Sequence, residues 1–94
     1  MNYEKKIRRI FEELEVDHPE VIIHQGDGYR VEVVVISPSF AAMDEGDRQS
    51  LVWSKILNEL TDEEQGSIDT VFTFSPAEHE AIISGSILPE TAAE

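Results

Sequence analysis

A chain of 94 residues, with 40% hydrophobic and 29% charged residues, has the composition of one small globular domain. It contains no cysteine, which excludes disulfides, thiol nucleophiles and cysteine-based metal sites. Its net charge of −13, from 20 acidic and 7 basic residues, would repel the phosphates of nucleic acids and the surface of anionic membranes.

The first segment has an amphipathic pattern that predicts a helix over residues 2–15. Its apolar residues recur at the i, i+3, i+4, i+7 spacing of one helix face: Ile7, Ile10, Phe11 and Leu14. The segment is charged and periodic, which is typical of neither a signal peptide nor a transmembrane span. We therefore expect a cytoplasmic protein with no membrane partner, present as a monomer or weak dimer.

A β-hairpin is predicted next. A short strand over residues 21–25 and a Val-rich strand over residues 29–37 are joined by the turn Gly26-Asp27-Gly28, since glycine tolerates the positive φ of a tight hairpin. Pro38 ends the second strand. The residues after it predict one short helical turn that places Phe40 on the core.

The main helix is predicted from Glu45 to beyond Leu60, with Asp44 as its N-cap. Its apolar stripe is predicted to contain Leu51 or Val52, followed by Ile56, Leu57 and Leu60. The acidic run 62–64 lies at the end of the helix that the dipole disfavours, so fraying or a loop is expected there.

A third strand over residues 67–74 leads into Ser75-Pro76-Ala77-Glu78, the pattern of a capping box that begins a short last helix. Residues 87–94 are predicted to form a flexible tail after a single domain over residues 1–86. The resulting order, α-β-β-α-α-β-α, predicts an α+β two-layer sandwich with a three-stranded sheet.

Three stretches of the chain resemble the BolA family, in particular its YrbA-like branch: GDGYRVEVVVISPSF, FAAMDEGDRQSLVW and FTFSPAEHE. Their order and spacing match the family over about residues 3–83. The resemblance implies a class II KH-like fold. It also implies a non-enzymatic adaptor or regulatory protein that acts with a monothiol glutaredoxin in iron–sulfur or iron homeostasis, in a family with members in stress response and transcription regulation.

Family members share a [2Fe–2S] cluster with the glutaredoxin and hold it partly through histidine. One family ligand is a His just before the third strand, and that position falls here on Ser67 or on Asp69, depending on the alignment. The other is a Cys or His in the hairpin, where this chain has Arg30. The resemblance thus implies a [2Fe–2S] cluster shared with the glutaredoxin, but this chain lacks the usual ligands for it. No cofactor of the chain's own is expected.

Four residues are predicted to form a partner-binding surface: Arg30, Phe40, Arg48 and Trp53. Arg48 lies in the first turn of the main helix, where a cation opposes the helix dipole. Either Asp44 and Asp47 offset it in a surface ion pair, or a carboxylate-bearing partner contacts it. Trp53 stands where the family usually has Tyr.

His24, at the end of the first strand, is the candidate metal ligand, because a neutral imidazole suits zinc or iron. His18 and His79 have no second ligand at i+3 or i+4. The chain also lacks a Gly-x-Ser-x-Gly elbow, a phosphate-binding loop and an EF-hand pattern. We therefore expect no enzymatic activity.

The alternative function is a nucleic-acid-binding transcription regulator, since a KH-like fold can bind nucleic acid. Acidic residues occupy the region 41–47, where phosphates would approach in a KH domain, and the net charge is unfavourable. A basic patch is the one feature that favours this alternative: Lys5, Lys6, Arg8, Arg9 and Arg30.

Overall fold

The computed structural model describes residues 3–26, 28 and 30–84. Its elements in chain order are α1 (Glu4–Glu12), β1 (Glu20–Gln25), β2 (Val31–Ile36), a 3₁₀ helix (Pro38–Ala42), α2 (Glu45–Glu59), α3 (Asp62–Gln65), β3 (Ile68–Phe74) and α4 (Pro76–Ser84). The predicted α+β fold with a three-stranded sheet is confirmed. Across these ranges, no helix has the length and apolar content needed to cross a bilayer. The predicted tail lies outside the described residues, so the domain limits stay predictions.

The three strands form a mixed sheet in the order β1-β2-β3. The hairpin makes β1 antiparallel to β2, whereas the helical crossover makes β3 parallel to β2. The register between β2 and β3 shifts near the start of both strands: Val31 pairs with Ile68 but Glu32 pairs with Thr70. Asp69 is thus the extra residue of a β-bulge, a feature that the sequence pattern did not predict.

The core lies between one face of this sheet and the helices α1 and α2. On α1 the predicted apolar face is buried: Ile7, Ile10, Phe11 and, just beyond the helix, Leu14. On α2, Val52 and Ile56 are buried, but Leu57 is 62% exposed, so its predicted place in the stripe is wrong. One residue turns a helix by 100°, which carries Leu57 away from the core that Ile56 faces.

The acidic run 62–64 forms α3 and not the expected loop. Thr61 caps this helix: its side chain accepts from the Glu64 N–H, and the Glu64 side chain accepts from the Thr61 N–H at 2.9 Å. The prediction was wrong because α2 ends at Glu59, so the acids stand in the first turn of a new helix, where the dipole favours them. Lys6 of α1 contacts Glu64 at 2.9 Å and ties α3 to the core helices.

Candidate functional site

Polar side chains gather at two ends of the sheet. We call the end where β1 finishes and β2 and β3 begin the hairpin end; it carries Arg30, Ser67 and Asp69. We call the opposite end, where β2 and β3 finish, the clamp end, and it is organised around Arg48 and Glu78.

At the hairpin end, Arg30 and Asp69 form an ion pair. The Nη1 atom of Arg30 lies 3.4 Å from Oδ1 of Asp69, and the two side chains are 55% and 42% exposed. Water competes with such a contact, so it contributes little to stability. The bulge and the residue before β2 thus bring together two exposed charged groups that lie 39 positions apart in sequence.

Ser67 has a different role although it is next to this pair. It is buried, and its hydroxyl donates to the carbonyl of Glu64 at 2.6 Å. Its carbonyl accepts from the Val31 N–H at 2.8 Å, which joins α3 to β2. Of the two positions that the alignment left open before β3, Asp69 is therefore the exposed one.

These residues do not fit a [2Fe–2S] cluster. A guanidinium has donors only, so Arg30 cannot ligate iron. The Ser67 hydroxyl is engaged internally, and a carboxylate such as Asp69 is not among the Cys and His ligands that hold such clusters. Arg30, Ser67 and Asp69 therefore offer hydrogen-bonding groups and form no cluster ligand set.

His24 is exposed on β1, directly opposite Glu32 of β2. Within residues 3–26, 28 and 30–84, no three His, Cys, Asp or Glu side chains are arranged to hold a metal ion. A single imidazole facing one carboxylate is a poor ligand set for zinc or iron. The structure gives the metal prediction for His24 no support.

At the clamp end, Arg48 is buried, with 7% of its surface exposed. Its guanidinium donates to the carbonyls of Phe40, Met43 and Thr73 and to both carboxylate oxygens of Glu78, at 2.8 and 3.1 Å. These contacts use all five N–H donors of an arginine. The predicted partner contact of Arg48 is therefore wrong: the residue joins the 3₁₀ helix, α2, β3 and α4.

The predicted surface pairing of Arg48 with Asp44 and Asp47 is also replaced. Asp44 caps α2 by accepting from the Asp47 N–H at 2.8 Å. Glu78 is the partner of Arg48, and it also closes the predicted capping box, accepting from the Ser75 N–H at 2.8 Å. The hydrogen bonds from Arg48 and from the Ser75 N–H lower the pKa of Glu78 to about 2.

Phe40 is fully buried in the same cluster. Its ring lies under the Arg48 guanidinium, 5.7 Å from centroid to Cζ, in a cation–π contact. Phe40 packs in the core, as its position in the short helical turn after Pro38 predicted. Its predicted contact with a partner is wrong, because no surface of the ring remains to be touched.

Trp53 is partly exposed on α2. Its Nε1 donates to Oε1 of Gln49 at 3.1 Å, and Nε2 of Gln49 donates to the Val71 carbonyl at 3.2 Å. Gln49 thereby covers a main-chain group at the outer edge of β3. The partner contact of Trp53 stays a prediction.

The basic patch considered for nucleic acid is largely used within the domain. Lys6 and Arg8 pair with acidic residues of the fold, and so does Arg30. Lys5 and Arg9 make no ion pair with any described residue. The start of α2 carries its own N-cap carboxylate, which disfavours a phosphate at that helix end. The nucleic-acid alternative stays a prediction.

No protein-family model and no curated protein sequence matches the chain. Among solved structures, it is similar to a bolA protein homologue from Coxiella burnetii, with 25% identity, a TM-score of 0.65, and coverage of 85% of this chain and 99% of that one. It is also similar to BolA1 from Arabidopsis thaliana (22% identity, TM-score 0.60, 83% and 96% covered) and to a bol-like protein from Babesia bovis (22%, 0.53, 88% and 95%). At 22% identity these two show the fold alone.

Proposed function

Because the chain is a BolA-like protein, we propose that it acts as a non-enzymatic, cytoplasmic adaptor that binds a monothiol glutaredoxin in iron–sulfur or iron homeostasis. The BolA resemblance supplies the partner class. The observation that carries the proposal is the exposed Arg30–Asp69 pair at the hairpin end. It occupies the positions at which the resemblance puts the partner-facing groups of the family.

The pair can recognise a partner by charge. Arg30 makes one Nη1 contact, with Asp69, and the other donors of its planar fork contact no described residue and can bind a carboxylate. Asp69 can accept from a basic side chain of the same partner. Since the internal contact is exposed and weak, exchanging it for a contact across an interface costs little.

The proposal leaves any [2Fe–2S] cluster on the glutaredoxin. Neither residue of the pair supplies a nitrogen or sulfur ligand, and Ser67 is held inside the fold. The protein then contributes a charged contact beside the cluster and no ligand to it. This distinguishes it from the family members that share the cluster.

Calorimetric titration of the full chain with a monothiol glutaredoxin, apo and cluster-loaded, tests the proposal. Arg30→Glu should weaken binding by about tenfold or more, because it sets two carboxylates against the partner's acidic group. Arg9→Glu is the matched control, with the same charge change on an exposed residue of α1, and it should bind like the natural chain. Equal losses in both variants, or no binding of the natural chain, would overturn the proposal.

Visible absorption of the cluster-loaded glutaredoxin tests the non-ligating part separately. Adding the natural chain should leave the spectrum unchanged while calorimetry reports binding. A shifted spectrum would mean that this chain supplies a ligand, and would overturn that part alone.

A further inference from the structure

On the outer edge of β1, several main-chain groups have no partner among residues 3–26, 28 and 30–84. The Gly26 N–H donates to the Arg30 carbonyl at 2.8 Å. Hydrogen-bonded and non-hydrogen-bonded pairs alternate along an antiparallel ladder, so this bond fixes which residues of β1 are hydrogen-bonded to β2. Residues 20, 22 and 24 therefore point their N–H and C=O groups at β2, and residues 21, 23 and 25 point theirs outward. Among the described residues, only the Val21 carbonyl of this outward set has a partner, the Arg8 guanidinium at 2.8 Å.

The other edge of the sheet is partly covered by α2. The outward carbonyls of Val71 and Thr73 on β3 accept from Gln49 and Arg48 of α2, at 3.2 and 3.1 Å. An unprotected edge strand is a template for pairing with another strand, and helix side chains are one way to block it. Among the described residues, α2 thus occupies two outward carbonyls of the β3 edge, whereas the β1 edge has one occupied carbonyl, which Arg8 contacts.

The side chains of β1 are complementary to themselves. Residues 20–24 read Glu-Val-Ile-Ile-His. Antiparallel pairing with a second copy about a two-fold axis at Ile22 sets Ile22 against itself once, on the axis, and sets Val21 against Ile23 and Glu20 against His24, each of these twice by symmetry. Moving the axis by one residue would instead set Ile22 against His24, so the register is specified.

We propose that β1 is a self-association edge, through which two copies of this chain join their sheets into one of six strands. In the pair, Val21 and Ile23 exchange main-chain hydrogen bonds with Ile23 and Val21 of the second copy. Their N–H and C=O groups already point outward, although the Val21 carbonyl accepts from Arg8 in the single copy. The partly exposed Ile22 and Ile23 gain cover, and His24 faces a carboxylate across the interface.

Two features hold this association in check. Each copy has a net charge of −13, so the copies repel one another at low ionic strength. Arg8, itself near Glu4, holds the Val21 carbonyl and must share or release it when the strands pair. Arg8 therefore opposes the pairing of two β1 strands, and its removal should favour the dimer.

Sedimentation equilibrium of the full chain, from about 10 μM to about 1 mM at 0.15 M salt, is the test. His24→Glu should weaken the dimer by roughly tenfold or more, since both symmetric pairs become like-charged. The double variant Glu20→His with His24→Glu should restore it. In the double variant, as in His24→Glu, residue 24 is repelled by Glu32 within each copy. A recovery of dimer affinity can therefore be attributed to the contact between residues 20 and 24 of the two copies.

Arg8→Ala should tighten the dimer and keeps the test decisive if His24→Glu disturbs folding. The Val21 and Ile23 amides should gain protection from hydrogen exchange as the concentration rises. No association of either the natural chain or Arg8→Ala up to about 1 mM would overturn the proposal. So would equal affinities of the single and double charge variants, or protection confined to another surface. No glutaredoxin is present in this experiment, so its outcome is independent of the adaptor function.

Discussion

The clamp end and the hairpin end each contain an arginine paired with a carboxylate, and the two pairs differ in almost every physical respect. Arg48 is buried and makes five hydrogen bonds, two of them to Glu78. Arg30 is exposed, and its one side-chain contact with a described residue is that of 3.4 Å to Asp69. Residue type and pairing are therefore poor guides to role. The number of donors satisfied and the access of water separate an arginine that holds the fold from one that can meet a partner.

Their energetics differ for the same reason. A buried guanidinium has lost its hydration and depends on every internal acceptor, so removing one side leaves the others uncompensated. Glu78 is 42% exposed and can recover part of its hydration if Arg48 is lost. In the Arg30–Asp69 pair both charges stay hydrated throughout. The clamp end should thus respond strongly to substitution, and the hairpin end weakly.

Removing the clamp arginine should have the largest effect. Arg48→Ala leaves the carbonyls of Phe40, Met43 and Thr73 without their donor and should lower the free energy of unfolding by about 2–4 kcal/mol. Urea denaturation followed by circular dichroism measures it. Arg48→Lys keeps the charge but lacks the planar fork, so its loss should be intermediate. A loss below about 1 kcal/mol for Arg48→Ala would contradict the structural role.

Substitution of the acidic partner should have a smaller effect. Glu78→Gln keeps the shape but loses the charge-assisted bonds to Arg48 and Ser75, and should cost about 1–2 kcal/mol. No described residue of α4 is buried, so this helix depends on that anchor. Its amides should exchange with deuterium faster in the variant than the amides of α2. Uniform acceleration across both helices would argue against a local anchor.

Much of the fold followed from local patterns, whereas the clamp did not. The face of α1, the Asp44 cap and the Ser75–Glu78 capping box were all predicted, because each depends on residues within one or two turns. Arg48 and Glu78 are 30 positions apart, so no local spacing joins them. A cation in the first turn of α2 opposes the dipole, and that anomaly was the available signal. The two explanations predicted for it were a surface ion pair with Asp44 and Asp47 and a partner contact, whereas its acceptors are Glu78 and three main-chain carbonyls.

The hairpin end was predicted in part. The resemblance pointed to Arg30 and to Ser67 or Asp69 as neighbours of a shared site, and Arg30 does lie beside Asp69. The choice between the two positions depended on the bulge in β3, which a single sequence does not specify because the bulge results from the fit of β3 to β2.

The clamp should also respond to acid. Glu78 has a folded-state pKa of about 2 against an ordinary value of 4.5, so the unfolded chain binds this proton first as the pH falls. The contribution of Glu78 to stability is therefore complete above about pH 4.5 and is lost as the pH drops toward 2. The difference in unfolding free energy between the natural chain and Glu78→Gln should be constant from pH 7 to 5 and shrink below that. A difference that grows in acid would contradict the assignment.

The hairpin pair should give the smallest change in stability. Arg30→Ala and Asp69→Ala should each alter the free energy of unfolding by no more than about 0.5 kcal/mol, and a double-mutant cycle should give a coupling of similar size. The same Arg30→Ala protein should bind a monothiol glutaredoxin more weakly, whereas Arg48→Ala should affect binding only as far as it unfolds the chain. A large loss of stability in Arg30→Ala would make the hairpin end a second structural clamp. Its stability must stay near that of the natural chain for the two ends to have separate roles.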